Sequence, residues 1–181
     1  AQKGQFTGCL APFGYRKDPE DKNHLLIDEE TAPIVRRLFA WALEGHGPNY
    51  IRRRLEEEKI PCPTYWNRVR GLRNVSTKWE KKDPVNGRYI WDFTVIKDIL
   101  MNPVYTGAIA SQKKEYRFKI GTIGEKKPEE WIVVENQHEP LVDRKTFDIV
   151  QRKLKSRQRP RQTGEISLFA GLIKCGECGK S

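Results

Sequence analysis

A chain of 181 residues has room for one domain, or one and a half, and enough mass to bury a real core. Its 34 Lys and Arg outnumber 24 Asp and Glu, and the net charge of +10 is the electrostatic footprint of nucleic-acid binders, although many basic proteins bind none. No run approaches the ~18 apolar residues of a membrane span, the opening AQKGQFTGCLAPFGYRK lacks a signal peptide's apolar core, and four cysteines, two isolated and two as CxxC, make no disulfide framework. The expectation is an intracellular, soluble protein and, with no initiator Met, a piece excised from a longer one.

In chain order, DEETAPIVRRLFAWALEGHG predicts the first helix, with Asp28 as cap, acids in its first turn and Gly45 as its stop. Ile34, Val35, Leu38, Phe39, Ala42 and Leu43 recur at helical spacing as one core stripe. A second helix opens at Pro48, packs on Ile51 and Leu55, and ends before Pro61 and Pro63. A long polar loop follows, of the kind that is functional or disordered. WDFTVIKDILMNPVYTGAIA then predicts a short helix whose broad face is Phe93, Val95, Ile96, Ile99 and Leu100, ended by Asn102-Pro103. Thr94, Lys97 and Asp98 share its other face.

Val104 to Ala110, Tyr116 to Ile123 and Trp131 to Val134 read as strands, the last two flanking the charged turn GEKKPEE. DRKTFDIVQRKLKSR is the last long helix, capped by Asp143 with Phe147, Val150 and Leu154 as its seam. RQRPRQTGEIS reads as a linker, and LFAGLIKCGECG as a short strand running into a cysteine turn. The fold class is therefore α+β, a mainly helical domain with a small antiparallel sheet.

Charge is uneven along these elements. From Pro61 to Trp91, Arg68, Arg70, Arg73, Lys78, Lys81, Lys82 and Arg88 face only Glu80 and Asp83. Ser111 to Lys127 has six basic residues against Glu115 and Glu125, and Arg152 to Gln162 has six and no acid. Asp28 to Glu44 is net negative, so a basic face and a neutral one are expected.

Arg52, Arg53 and Arg54 each precede a Glu by four residues, which suits a surface ion-pair ladder. Read as first-turn residues they oppose the helix dipole, a mismatch that a phosphate would relieve; the two readings stand side by side. The Thr94/Lys97/Asp98 face suits either an ordinary solvent face or a groove-reading helix, where Asp98 would repel phosphate but accept from a cytosine amino group. Trp91, directly before a helix, is expected in the core, while Trp66 and Trp79 remain open between core and base stacking.

His24, His46 and His138 are scattered, and His138-Glu139 before Pro140 reads as a structural turn. Ser76, Ser111, Ser156, Ser167 and Ser181 show no nucleophile elbow, and there is no phosphate-cradling Gly motif, so this chain is expected to catalyse nothing. Cys175 and Cys178 admit a redox pair, a zinc knuckle or chance. Nothing in the spacing of Cys9 and Cys62 suggests that they complete such a site.

Taken in order, APFGYRKD, LLIDEETAPIVRRLFAWALEGHG, WDFTVIKDILMNPVYTG, HEPLVDRKTFDIVQRKL and LFAGLIKCGECGK resemble the recombinase domain of the large serine recombinases, from about Ala11 to Lys180. These are phage integrases and transposon-mobilising recombinases. The resemblance implies a modular enzyme: a catalytic domain carrying the attacking serine, a recombinase domain that binds the attachment-site half-site, and a zinc ribbon that reads the outer part. It divides this sequence into a linker from the missing catalytic domain (1–11), the DNA-binding domain (12–157), a linker (158–167) and a truncated zinc-ribbon start (168–181).

The catalytic serine and its arginine cluster are absent, so no catalytic residue is assigned; the implied parent is a serine site-specific DNA recombinase. Double-stranded DNA is the implied partner, with a parent dimer on DNA, a tetramer in synapsis, no membrane, and a bacterial or phage-encoded cytoplasmic setting. Linker residues Gln2, Lys3 and Gln5 are candidate minor-groove contacts. Arg52, Arg53, Arg68, Arg70, Arg73 and Lys78 are candidate phosphate contacts, and Thr94 and Lys97 candidate base readers, with the helices around Ile51 and Ile96 as a helix-turn-helix-like face. Zinc is implied for the intact protein. Cys175 and Cys178 supply half a site, expected to hold no stable metal here, and this fragment needs no other cofactor. The competing readings are an RNA-binding or ribosome-associated basic module, a cryptic nuclease or redox enzyme, and a protein-interaction module.

Overall fold

A short hairpin opens the domain. The computed structural model describes residues 5–72, 83, 85–117, 121–127 and 130–156. Strands β1 (Tyr15–Lys17) and β2 (Leu25–Ile27) pair antiparallel, with Tyr15 opposite Ile27 and Lys17 opposite Leu25. Helices α1 (Ala32–Glu44) and α2 (Pro48–Glu57) follow, then a short α3 (Pro63–Val69) inside the stretch read as loop. A 3-10 turn at Gly87–Tyr89 leads into α4 (Phe93–Met101), and a second at Pro103–Thr106 follows it. Strands β3 (Ile109–Ser111), β4 (Lys114–Arg117), β5 (Gly121–Glu125) and β6 (Ile132–Val134) precede the last described helix, α5 (Arg144–Ser156).

The α+β class holds, but the strands form three separate antiparallel ribbons among the described residues, β1 with β2, β3 with β6 and β4 with β5. What reads in the sequence as one strand from Tyr116 to Ile123 is split between β4 and β5, with a register shift between Glu115 and Tyr116. Pro103 turns the start of the expected strand at Val104 into the 3-10 turn, whose amides bond back to the Asn102 side chain and backbone. The linker and cysteine turn at 157–181 lie outside the described residues.

Helix α1 is the hub, packed against α5, α4 and α2. Val35, Leu38, Phe39 and Ala42 of its predicted stripe are buried, whereas Ile34 lies at the margin and Leu43 is exposed. Asp28 is not the helix cap, and the first turn carries no acid. Thr31 precedes the helix and Pro33 lies in its opening turn, while the Asp28 carbonyl accepts the amides of Thr31 and Ala32. Asp28 thus builds the turn ahead of the helix. Gly45 stops α1 as expected, at φ 101°. In α4, Ile96, Ile99 and Leu100 are buried, but Phe93 is 40% exposed. Asp92 caps α4 through the Thr94 amide, and the Asp143 carboxylate accepts the Thr146 amide at the start of α5.

Three of the sequence blocks meet in one place. In PFGY, Gly14 has φ +95°, and a Cβ there would come within 2.8 Å of Val35 and 2.9 Å of Leu141. The Tyr15 hydroxyl donates to the Glu139 carbonyl at 2.9 Å and accepts the Leu141 amide at 3.1 Å. From NPVYTG, the Tyr105 hydroxyl donates to the Phe13 carbonyl, and its own carbonyl accepts the amides of Leu141 and Val142. The His138 ring lies edge-on to Tyr15 with centroids 4.8 Å apart, its Nε2 2.7 Å from the Val104 carbonyl. His138 is the structural turn that its sequence context suggested.

Candidate nucleic-acid interface

Helices α2 and α4 pack together, bringing Ile51 and Leu55 against the core face of α4. The expected pairing of the helices around Ile51 and Ile96 is therefore present. The arginine run does not start α2, however. Pro48 opens the helix, so Arg52 falls in the second turn and Arg54 in the last, where the dipole favours a cation. The dipole mismatch expected from the sequence is absent.

The three arginines separate by environment. Arg54 reaches Glu57 at 3.8 Å and Glu58 at 3.5 Å, and Arg37 of α1 also binds Glu58 at 2.5 Å. Arg52 meets Glu56 at only 3.9 Å, and its buried Nε has no hydrogen-bond partner among the described residues. Arg53 is exposed, with no ion pair among the described residues. The ladder thus forms at two rungs, because Arg54 takes Glu57 as well as Glu58.

On α4, Thr94 is exposed, but its hydroxyl bonds the Asp92 carboxylate at 2.6 Å. That hydroxyl and the Thr94 amide, with Arg52 nearby, hold the Asp92 carboxyl below its usual range. Lys97 runs along a cavity of about 230 Å³ lined by Phe93, Met101, Leu154 and Lys155, and no carboxylate pairs with it among the described residues. Lys113, from the basic stretch after β3, is drawn inward: its Nζ lies 5.0 Å from the Trp131 ring centroid and 3.3 Å from the Asn102 amide oxygen, and burial pushes the amine below its usual value.

Arg70 takes a different part from the one its place in the basic loop suggests. Its guanidinium bonds both Asp28 oxygens, at 2.6 and 3.1 Å, and Glu30 at 2.7 Å. The Asp28 side chain is 7% exposed. Burial pushes its carboxyl up, but hydrogen bonds from Arg70 and Thr31 outweigh burial and hold it below the usual range. Arg70 also lies 5.4 Å from the ring of Trp66, which is half-buried with its Nε1 unpartnered among the described residues. Trp91 is a core residue, its Nε1 donating to the Ile60 carbonyl.

Arg68 is exposed on α3. Arg73, Lys78, Trp79, Gln2, Lys3, Cys175 and Cys178 lie outside the described residues, and Gln5 is exposed at their edge. Among the described residues no group of three or more His, Cys, Asp and Glu is arranged to hold a metal, and no helix is long and apolar enough to cross a membrane. Arg88, one more cation in a basic loop when read from sequence, proves to lie within cation–π reach of two tyrosine rings. The signal for it was the local pattern Gly-Arg-Tyr, with Tyr65 far away in the chain.

Residues 29–157 match the protein family described as Recombinase. The chain belongs to that family. The recognition drawn from the ordered sequence blocks is borne out. Two relatives are from Bacillus subtilis: the uncharacterized protein YefB, 36% identical over 93 residues, 50% of this chain and 31% of its own, and a putative DNA recombinase, 26% identical over 194 residues, 99% of this chain and 34% of its own. The recombinase chain thus spans about a third of the length of these relatives. A solved structure described as "Sequence Requirements of the Listeria innocua prophage attP site" aligns with 98% of this chain and 58% of its own at 18% identity and a TM-score of 0.52, a likeness of fold.

Proposed function

We propose that this recombinase domain binds double-stranded DNA sequence-specifically, holding an attachment-site half-site for a serine site-specific recombinase whose phosphodiester chemistry resides outside this sequence. The observation that carries the reading is a packed helix pair, α2 and α4, with Arg53 and Lys97 left without carboxylate partners among the described residues and Arg52 only loosely paired. Cations kept un-neutralised on rigid elements suit a polyanion. Family membership and a relative described as a putative DNA recombinase support the same reading.

Arg52, Arg53 and Arg68, with Arg73 and Lys78, are the phosphate contacts in this proposal, and Arg70 leaves the set because its charge is taken by Asp28 and Glu30. Lys97 and Thr94 stand as base readers, Thr94 through the acceptor capacity left on a hydroxyl already bonded to Asp92. The intact protein, bacterial or phage-encoded, dimerises on DNA and forms a tetramer in synapsis in the cytoplasm. Cys175 and Cys178 supply two of the four ligands of a structural zinc there.

Selection from a randomised duplex library tests the proposal. Enrichment of one half-site motif is expected, bound about a thousandfold or more tighter than random duplex at physiological salt. Recovery of unrelated sequences with equal affinity would sink the specificity claim, and tighter binding to structured RNA would favour an RNA-binding module instead.

A further inference from the structure

Arg88 sits in the 3-10 turn just ahead of α4, where its carbonyl accepts the Cys62 amide at 2.8 Å and ties the turn to the start of α3. Its guanidinium carbon lies 5.1 Å from the ring centroid of Tyr89 and 5.9 Å from that of Tyr65. The Nε is buried and has no hydrogen-bond partner, and no carboxylate pairs with the side chain among the described residues. Both acids nearest in sequence are engaged elsewhere. Asp83 accepts the amides of Val85 and Asn86, and Asp92 accepts the amide and hydroxyl of Thr94.

Two aromatic rings thus order a guanidinium without neutralising it. Ring faces attract a cation through their quadrupoles but leave its terminal N–H donors unused. An arginine held in this way has lost much of its side-chain freedom before any ligand arrives, and it keeps a planar donor pair matched to two oxygens of one anion. Arg88 is half-buried as a residue, and of its three guanidinium nitrogens only Nε is both buried and without a partner among the described residues. Terminal donors left without a protein partner suit the paired oxygens of a phosphate.

We infer that Arg88 is a preorganised phosphate clamp, binding one backbone phosphate of duplex DNA through its terminal nitrogens and fixing the start of α4 on the duplex. The inference rests on the DNA-binding reading above and adds a residue to it. The test titrates a mixed-sequence duplex with the 181-residue chain and with Arg88→Gln and Arg88→Lys, across a series of salt concentrations, alongside thermal melting. For Arg88→Gln the slope of log affinity against log salt should fall by about one, with a similar loss of affinity on every sequence. Arg88→Lys keeps the slope but should bind several-fold more weakly, because an ammonium lacks the planar fork.

A ring-stapling role alone would lower the melting temperature and leave the slope unchanged, which would overturn the inference. So would a loss confined to one base position, the mark of a guanine reader. If Arg88→Gln does not fold, Arg88→Lys decides: wild-type affinity in that variant rejects the clamp. A wild-type chain that binds no duplex rejects the DNA-binding reading and the clamp together, whereas tight wild-type binding with an unchanged Arg88→Gln slope rejects the clamp alone.

Discussion

At the scale of single residues, Asp28 and Arg70 meet across 42 positions of sequence and join the turn before α1 to the end of α3. Removing the guanidinium leaves a nearly buried carboxylate with only the Thr31 hydroxyl and local backbone around it. Arg70→Ala is expected to lower unfolding free energy by on the order of 2 kcal/mol. It should leave the salt slope of DNA binding unchanged, since that charge is already taken up. Denaturant unfolding and a salt titration on the same variant check both halves of this prediction.

His138 supplies a pH dependence. Burial pushes its imidazole below the ordinary value of 6.5, partly opposed by the bond to the Val104 carbonyl. An unfolded chain takes up this proton as pH falls through 6.5, and the folded chain resists it until lower pH. The contribution is therefore fully present above the ordinary value and is lost as pH falls below it towards the folded value. Urea midpoints should decline between about pH 7 and pH 5, and His138→Gln should flatten that decline. An equally steep decline in the variant would assign it to other groups.

At the scale of elements, the α2–α4 contact holds the candidate interface. Ile96 is fully buried in it. Ile96→Ala should cost about 2–5 kcal/mol of stability, with the spread set by how far α2 settles into the space left behind. Thermal or urea unfolding measures this directly.

Helices α1, α2, α4 and α5 could be read from sequence because each repeats apolar residues at helical spacing between clear stop signals. Helix α3 could not. It is seven residues long and buries none of them, so no periodic stripe betrays it. The strands of the first hairpin are three residues each, too short for alternation to register. The same limit applied to the interface. Arg53 and Lys97 stood out by position on a helix face, whereas the diversion of Arg70 was decided by an acid 42 residues away. Arg88 has Tyr89 beside it in sequence, but Tyr65, its second ring, reaches it from another element only on folding.

At the scale of the whole molecule, a net charge of +10 is distributed by pairing and not by count. Acids neutralise Arg37, Arg54 and Arg70, while Arg53, Lys97 and Arg88 are left unopposed among the described residues. A charge total therefore predicts the class of partner better than it predicts which cation meets that partner.

The Tyr15 hydroxyl, bonded to Glu139 and Leu141, closes a loop of 126 residues. Contacts across so long a loop form late in folding, after shorter-range helix packing has paid most of the chain entropy. Tyr15→Phe keeps the ring and loses both bonds, so it should speed unfolding several-fold while the folding rate stays nearly constant, as stopped-flow chevrons would reveal. On a ribosome the Tyr15 hydroxyl has neither of these partners until Glu139 and Leu141 have been synthesised, on the order of ten seconds later at ordinary elongation rates. During that interval Gly14 can already pack on Val35 and Phe13 can bond Tyr105, but the last tie of the first hairpin to the end of the domain is still open to chaperones and proteases.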